Sequence, residues 1–197
     1  MVKPIRFSLD IDGVVANYNK ALAALAKELH YEPLQQQTGK PGEYEMVPDT
    51  DRLDEWIESH LEQFWGGLES MATEADHRAI HQARSLGHEL FWVSARPSNR
   101  RRDLRRITLE WLQTNGFPVD EKHMLLLGDK GHSCRSNQIA FHLDDRVAHG
   151  VQVALAGTTC FMILRPWNTE ELEYSGYGFL TVESIEEYIT LITTGNK

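Results

Sequence analysis

The sequence has little cysteine, fewer basic than acidic residues and no long apolar run. Its only cysteines, Cys134 and Cys160, lack C-x-x-C spacing, which argues against a disulfide framework and predicts free thiols. The 20 Lys and Arg residues face 29 Asp and Glu residues, so a long nucleic-acid duplex is not expected as a partner. Because no stretch approaches about 18 apolar residues and no basic-then-apolar leader opens the chain, we expect a cytoplasmic protein without a membrane segment.

Apolar runs alternate along the chain with segments of helical period, a pattern typical of parallel strands joined by crossover helices. The predicted strands are Pro4–Ile11, Glu89–Val93, His123–Leu127, Ile139–Leu143 and Thr159–Leu164. The predicted helices are Asn17–Leu29, Leu53–Phe64, Glu74–Leu86, Arg100–Gln113 and Ser184–Ile192, with Gly87 and Gly116 at two helix ends. The sequence therefore predicts an α/β fold with a Rossmann-like, doubly wound parallel sheet covered on both faces.

The connection between the first two predicted strands is anomalously long. It has about 75 residues, whereas a complete βαβ unit needs only about 30. Its flanks have helical period, but Tyr31 to Asp51 is polar and rich in Gln, Gly and Pro, which favours a loop. We therefore predict an α/β core of residues 1–16 and 74–197 and a small helical cap of residues 17–73.

Polar side chains follow each of the first four predicted strands, where ligands bind in open parallel sheets. Acids follow the first and fourth strands, a hydroxyl the second and a lysine the third. Because residues two apart in a strand share a face, we expect Asp10 and Asp12 to point the same way at the end of the first strand. Carboxylates without His or Cys partners suit Mg²⁺, and a hydroxyl and an ammonium beside the metal suit a phosphate. The candidate residues of this metal and phosphate site, at or next to the predicted strand ends, are Asp10, Asp12, Gly13, Ser94, Ala95, Arg96, Lys130, Asp144 and Asp145.

Four motifs, D-I-D-G-V-V, V-S-A-R, G-D-K and H-L-D-D-R, occur in this order at the predicted strand ends. Together they resemble the haloacid dehalogenase superfamily of aspartate-dependent phosphohydrolases. Within this superfamily, the chain looks like the 5'(3')-deoxyribonucleotidases of the small-cap type. This closer resemblance rests on V-S-A-R-P, L-G-D-K, the late L-R-P-W-N and the early helical insertion. The resemblance extends from Phe7 to Trp167, apart from most of the cap. It implies a Mg²⁺-dependent phosphomonoesterase that acts on nucleoside monophosphates through a phospho-aspartyl intermediate.

The resemblance also implies a role for each residue that matches a motif. Asp10 would be the nucleophile and Asp12 the general acid and base. Mg²⁺ would be held by Asp10, the Asp12 carbonyl and Asp144, with Asp145 as a further ligand or directly behind the ligands. The residues expected to bind the phosphate or substrate are Gly13, Ser94, Ala95, Arg96 and Lys130. Lys122 is a rival for the lysine role, but it precedes its strand.

Several alternatives stay open at the level of sequence. The enzyme alternative is a phosphatase for sugar phosphates or another small phosphomonoester. The distant alternative is a phosphoacceptor or phosphate-binding module without turnover, although a signalling receiver would have its lysine after the last strand-end aspartate. A homodimer is left open. The cap aromatics, Trp56 and Trp65 among them, either stack on a base or pack in a core. The basic run from Ser98 to Arg106 is either a solvated helix face or an attractor for an anion.

Overall fold

The computed structural model describes residues 4–30, 50–96, 102–174 and 176–195, except for the side chains of residues 50–52 and 102. Six parallel strands form one sheet in the order β3-β2-β1-β4-β5-β6. The strands are β1 Arg6–Leu9, β2 Glu89–Ser94, β3 Met124–Leu126, β4 Phe141–Asp144, β5 Thr159–Ile163 and β6 Leu180–Val182. The chain therefore runs outward from β1 in both directions, which confirms the predicted doubly wound α/β fold.

Nine α-helices surround the sheet within the described part of the chain. They are α1 Tyr18–Glu28, α2 Thr50–Ser59, α3 Leu61–Gly66, α4 Glu74–Ser85, α5 Arg102–Thr114, α6 Lys130–Ser136, α7 Val147–Leu155, α8 Thr169–Tyr174 and α9 Ile185–Thr194. Gly87 and Gly116, predicted at helix ends, have φ values of +90° and +77° and lie two positions after the last residues of α4 and α5. These left-handed conformations favour glycine and end both helices.

Some elements differ from the sequence-based expectation. The predicted helix Leu53–Phe64 is interrupted at His60, which separates α2 from α3. Strand β6 was not predicted because it has only three residues, two of them exposed. Helix α6 was also missed, since its sequence K-G-H-S-C-R-S is small and polar and lacks an apolar period. Helices α7 and α8 were missed as well, and both are short.

Helices cover both faces of the sheet because successive strand residues point to opposite sides. In β2, Leu90 and Trp92 belong to the larger core, which also contains residues of α1–α5 and α9. Their neighbours Phe91 and Val93 belong to a smaller core with residues of α6 and α7. The strands are therefore buried on both faces, as expected of a parallel sheet.

The segment that follows α3 joins the inserted helices to the core. Ala16 pairs with Ser70 in an isolated antiparallel bridge, and Met71 N donates a 2.8 Å hydrogen bond to Val15 O. On the other side, Trp111 Nε1 of α5 donates to Leu68 O at 2.8 Å. Residues 31–49 of the predicted cap lie outside the described residues, and the domain boundaries stay a prediction. Within the described ranges, no helix is long and apolar enough to span a membrane.

Candidate active site

The polar residues converge where β1 lies between β2 and β4, the point at which the chain changes direction across the sheet. Open α/β sheets bind ligands at such a point, beyond the carboxyl ends of the strands. Asp10 directly follows β1, and its N–H donates to Leu143 O of β4 at 2.9 Å. Asp144 ends β4 and Ser94 ends β2. The predicted clustering of strand-end side chains is therefore present.

Strand alternation was the ground for expecting Asp10 and Asp12 to point the same way, and the strand does not extend to either residue. Strand β1 ends at Leu9, and the chain then turns so that Asp12 forms an isolated bridge with Ala16. The two carboxylates consequently contact different cations: Asp10 contacts Lys130, and Asp12 contacts Arg96.

Lys130 is the first residue of α6 and is completely buried. Its Nζ lies 2.7 Å from Asp10 Oδ2 and 2.7 Å from Asp144 Oδ2. Burial alone would lower the pKa of Lys130, but the charges of Asp10 and Asp144 outweigh it and raise that pKa. The lysine is therefore a cation that joins the ends of two neighbouring strands.

The two acids that share this lysine have opposite pKa shifts. Burial raises the pKa of Asp10 despite the opposing charge of Lys130, and the charge of Asp144 adds to the increase. The pKa of Asp144 lies well below its ordinary value: burial would raise it, but the charge of Lys130, a hydrogen bond from His142 and the nearby imidazole of His149 lower it. Asp144 is thus ionised, and Asp10 is the carboxylate whose charge is less well compensated.

Two histidines that the sequence analysis did not single out contact Asp144. His142 Nε2 lies 2.9 Å from Asp144 Oδ2, and its Nδ1 lies 2.7 Å from Ser8 Oγ in the buried centre of the sheet. His149 Nδ1 lies 3.6 Å from Asp144 Oδ1 and has no hydrogen-bond partner among the described residues. The only sequence signal for these residues is their spacing, two positions before Asp144 and five after it.

Asp145 is 1% exposed and lies against the loop after β1. Its Oδ2 accepts a 2.7 Å hydrogen bond from Trp167 Nε1, whereas its Oδ1 is buried without a hydrogen-bond partner in the described part of the chain. Burial raises its pKa well above the ordinary value, and the charges of Asp144 and Asp10 add to this increase. A buried oxygen without a donor, next to two further acids, is a natural place for a cation.

Gly13 makes this arrangement sterically possible. Its φ is +78°, and a Cβ at this position would lie 2.0 Å from Asp145 Oδ2. Arg165 holds the same loop, because its Nε donates to Gly13 O at 2.8 Å and its Nη2 to Val14 O at 3.0 Å. Asn168 fixes the other side by donating to Asp145 O at 2.7 Å. The L-R-P-W-N motif thus supports the acidic residues through Arg165, Trp167 and Asn168.

Ser94 and Arg96, with Ala95 between them, lie at the end of β2. Ser94 Oγ accepts from Arg96 N at 3.3 Å and lies 3.5 Å from Asp12 Oδ2. Arg96 was expected to bind substrate, but here its guanidinium binds Asp12 through two hydrogen bonds of 2.9 and 2.7 Å. Roles of Ser94, Ala95 and Arg96 in phosphate binding stay predictions.

Residues at this site fit a divalent cation. One ligand atom each from Asp10, Asp144 and His149 lies within 4.8 Å of the others. The unpartnered Asp145 Oδ1 is an additional acceptor in the same acidic neighbourhood. Carboxylate oxygens are the ligands that Mg²⁺ prefers. The site has three buried carboxyl groups, those of Asp10, Asp144 and Asp145, and Lys130 supplies only one positive charge near them. The oxygen donors therefore fit the expected Mg²⁺.

Among the described residues, the other basic side chains considered for binding or attracting a phosphate form ion pairs and hydrogen bonds at the surface. Lys122 precedes β3 and pairs with Asp120 at 3.1 Å. In the described part of the basic run, Arg105 donates to Met124 O at 2.8 Å, and Arg106 bridges Glu62 of α3 and Glu110 of α5. These two arginines thus make structural contacts, and residues 98–101 of the run lie outside the described residues.

No protein-family model matches the sequence, and no curated protein is similar to it. Its structure is similar to a HAD (haloacid dehalogenase) family hydrolase from Deinococcus radiodurans with bound phosphate and sodium, with a TM-score of 0.62 and 16% identity over 97% of this chain and 96% of that one. A haloacid dehalogenase-like protein from Agrobacterium tumefaciens has a TM-score of 0.64 and 14% identity, over 99% of this chain and 100% of that one. For D,D-heptose 1,7-bisphosphate phosphatase from Burkholderia thailandensis the TM-score is 0.58, with 10% identity over 99% of this chain and 100% of that one. The chain thus has the fold of the haloacid dehalogenase-like hydrolases.

Proposed function

We propose that this protein is a Mg²⁺-dependent phosphomonoesterase that uses Asp10 as its nucleophile. The observation that supports this most is the buried contact of Asp10 with Lys130, which Asp144 shares, at the switch point of a haloacid dehalogenase-like fold. A carboxylate held by a cation beside a second acid is suited to attack phosphorus without prior deprotonation.

The reaction begins when an Asp10 carboxylate oxygen forms a bond to phosphorus and the bond from phosphorus to the leaving alcohol breaks. Asp12 donates a proton to the departing oxygen. Water then attacks the phosphorus and gives a proton to Asp12, which releases inorganic phosphate and restores the Asp10 carboxylate. The sum is hydrolysis of one phosphomonoester to an alcohol and phosphate.

Lys130 would bind a phosphoryl oxygen while it holds Asp10, and Ser94 would bind another. Most of the catalysis of phosphoryl transfer is positioning and charge stabilisation, which fixed donors of this kind supply. Asp10, Asp144 and Asp145, with the Asp12 carbonyl, would hold Mg²⁺. When bound, Mg²⁺ would offset the repulsion between a carboxylate and a phosphate dianion.

For the substrate, we propose a nucleoside monophosphate, as the motif resemblance implies. Sugar phosphates are the second candidate, because one of the similar structures is a heptose bisphosphate phosphatase. A further observation favours this second candidate: the Trp65 ring, for which base stacking and core packing were both open, packs against Tyr18 and Arg96 and is 8% exposed. Trp56 stacks on His60 at 4.2 Å and is more exposed.

Phosphate release from deoxynucleoside monophosphates, ribonucleoside monophosphates and hexose phosphates, measured with Mg²⁺, tests both parts of the proposal. We expect the deoxynucleotide to exceed the hexose phosphate by at least about tenfold in kcat/KM, which is about 1.4 kcal/mol in transition-state binding. A preference for sugar phosphates would refute the nucleotidase assignment and leave the phosphatase assignment intact.

Asp10→Asn is the matched control, because it keeps the size of the side chain and removes the nucleophile. We expect less than about 1% of wild-type turnover with an unchanged circular dichroism spectrum. Retained turnover would exclude Asp10 as the nucleophile. A phosphorylated wild-type protein that accumulates without releasing phosphate would instead support a phosphoacceptor module.

A further inference from the structure

Arg96 is held on three sides at the end of β2. Its Nε and Nη2 donate to the two carboxylate oxygens of Asp12 at 2.9 and 2.7 Å. Its Nη1 donates to Thr108 Oγ1 of α5 at 3.0 Å, and the Thr108 hydroxyl in turn donates to Leu104 O at 2.7 Å. The third contact is with the Trp65 ring, whose centroid lies 4.7 Å from the guanidinium carbon. Because Arg96 is 2% exposed, these contacts determine its orientation.

Trp65 belongs to α3, in the inserted segment, and its own position is fixed. Its ring stacks on Tyr18 of α1 with 5.4 Å between centroids and meets Phe64 edge to face at 5.2 Å. Helix α3 is in turn joined to α5 by the ion pair of Glu62 with Arg106. The indole is therefore a rigid surface beside the guanidinium rather than a mobile side chain.

We infer that Trp65 is a positioning residue for Asp12 that acts through Arg96, so that the inserted helix α3 sets the geometry of the general acid. This inference rests on the proposed phosphatase function and extends it. A guanidinium that makes two hydrogen bonds to one carboxylate fixes both the distance and the plane of that carboxylate. The aromatic ring then holds the guanidinium itself through a cation–π contact within the range of about 6 Å.

Removal of the indole would leave Arg96 held by Thr108 and Asp12, with space to rotate on the side that Trp65 occupied. Asp12 would then lose the fixed orientation that its two hydrogen bonds with Arg96 provide. Proton transfer by a positioned side chain contributes about 10²–10⁴-fold to a rate, so disordering this side chain slows the steps that need the proton. Esters with a poor leaving group depend most on this proton transfer.

The experiment compares Trp65→Met, which removes the aromatic face, with Trp65→Phe, which keeps one at a similar side-chain size. Single-turnover release of the alcohol is measured for an alkyl phosphate and for p-nitrophenyl phosphate, whose leaving group departs readily as an anion. We expect Trp65→Met to slow release from the alkyl phosphate at least about tenfold more than from the aryl phosphate, with little change in KM. Trp65→Phe should recover most of this difference.

Trp111→Leu is the control for general loosening of the inserted segment, because Trp111 is also buried and donates a hydrogen bond to Leu68 O but has no contact with Arg96 among those described. It should lower the melting temperature without changing the ratio of alkyl to aryl rates. If Trp65→Met does not fold, Thr108→Val removes the other support of the same guanidinium and should produce the same selective loss.

Equal slowing of both substrates, or a change in KM alone, would overturn the inference. The same is true if Trp111→Leu alters the ratio as much as Trp65→Met. Failure of the proposed function has a different signature, since the wild-type protein would then release neither alcohol.

Discussion

Lys130 Nζ lies 2.7 Å from Asp10 Oδ2, and less than 5% of either side chain is exposed. A buried ion pair of this kind is weak evidence for stability, because desolvation offsets much of the attraction. Here the lysine also contacts Asp144, so that a single cation compensates two carboxylates. Under the proposed function, this shared contact holds the nucleophile Asp10 in place.

Replacing Lys130 with Met should destabilise the metal-free protein by about 3–5 kcal/mol, because Asp10 and Asp144 would lose their shared cation. Mg²⁺ should restore part of this loss by supplying positive charge to the same acids. Urea unfolding with and without Mg²⁺ measures both effects. Lys122→Met, which removes a surface ion pair with Asp120, is the control and should have little effect. Equal destabilisation by the two variants would contradict the assigned role of Lys130.

Asp145→Asn should stabilise the metal-free protein at neutral pH and abolish much of its stabilisation by Mg²⁺. The buried Asp145 carboxyl keeps its proton to a higher pH than in the unfolded chain, because burial and the charges of Asp144 and Asp10 raise its pKa. Asparagine has no charge to bury and can still accept the Trp167 hydrogen bond. Thermal unfolding in chelator and in Mg²⁺ measures the two opposite effects.

The pH dependence of Asp145→Asn has a definite sign. Above pH 3.8, the ordinary pKa of this carboxyl, Asp145 holds its proton more often in the folded wild-type protein than in the unfolded chain. The contribution of Asp145 to the free energy of unfolding therefore falls as pH rises through its raised pKa, and this contribution is absent from the variant. Asp144 acts in the opposite direction, but its lowered pKa places most of that effect below pH 3.8. A variant that loses stability in parallel with the wild type above pH 3.8 would exclude this account.

Gly13→Ala should disturb the acidic cluster more than a glycine substitution elsewhere. Its Cβ would lie 2.0 Å from Asp145 Oδ2, so the carboxylate or the loop must move. Gly157→Ala is the matched control, since its φ of +90° imposes a similar backbone strain but its Cβ would meet open space. We expect both variants to lose stability and only Gly13→Ala to lose Mg²⁺ affinity, measured by calorimetric titration. Equal Mg²⁺ affinities would show that the contact with Asp145 is unimportant.

Chelation should stop phosphate release, and Mg²⁺ should restore it. Ca²⁺ should restore less activity, because its larger and less regular coordination shell holds the acids and a phosphate differently. Phosphate release after dialysis against EDTA, followed by addition of each ion, is the measurement. Full activity in EDTA would refute the metal requirement.

The sequence determined the α/β class and the set of strand-end residues. Alternation of apolar runs with helical segments predicts a parallel sheet, and a parallel sheet brings its strand ends to one edge. Asp10, Lys130 and Asp144 could therefore be placed together without coordinates. Strand β6 was not predicted because its three residues are too few to show an alternation of apolar and polar residues. Helix α6 was not predicted because its polar, glycine-containing sequence shows no apolar helical period.

Only the tertiary structure decided which charges meet. Asp10 and Asp12 are two residues apart, yet the turn after Leu9 directs one to Lys130 and the other to Arg96. Likewise, Trp65 could have faced a base or a core, and its place over Arg96 follows from how α3 packs on α5. The physical reason is that local sequence sets the period of an element, whereas the partner of a side chain depends on where distant elements pack.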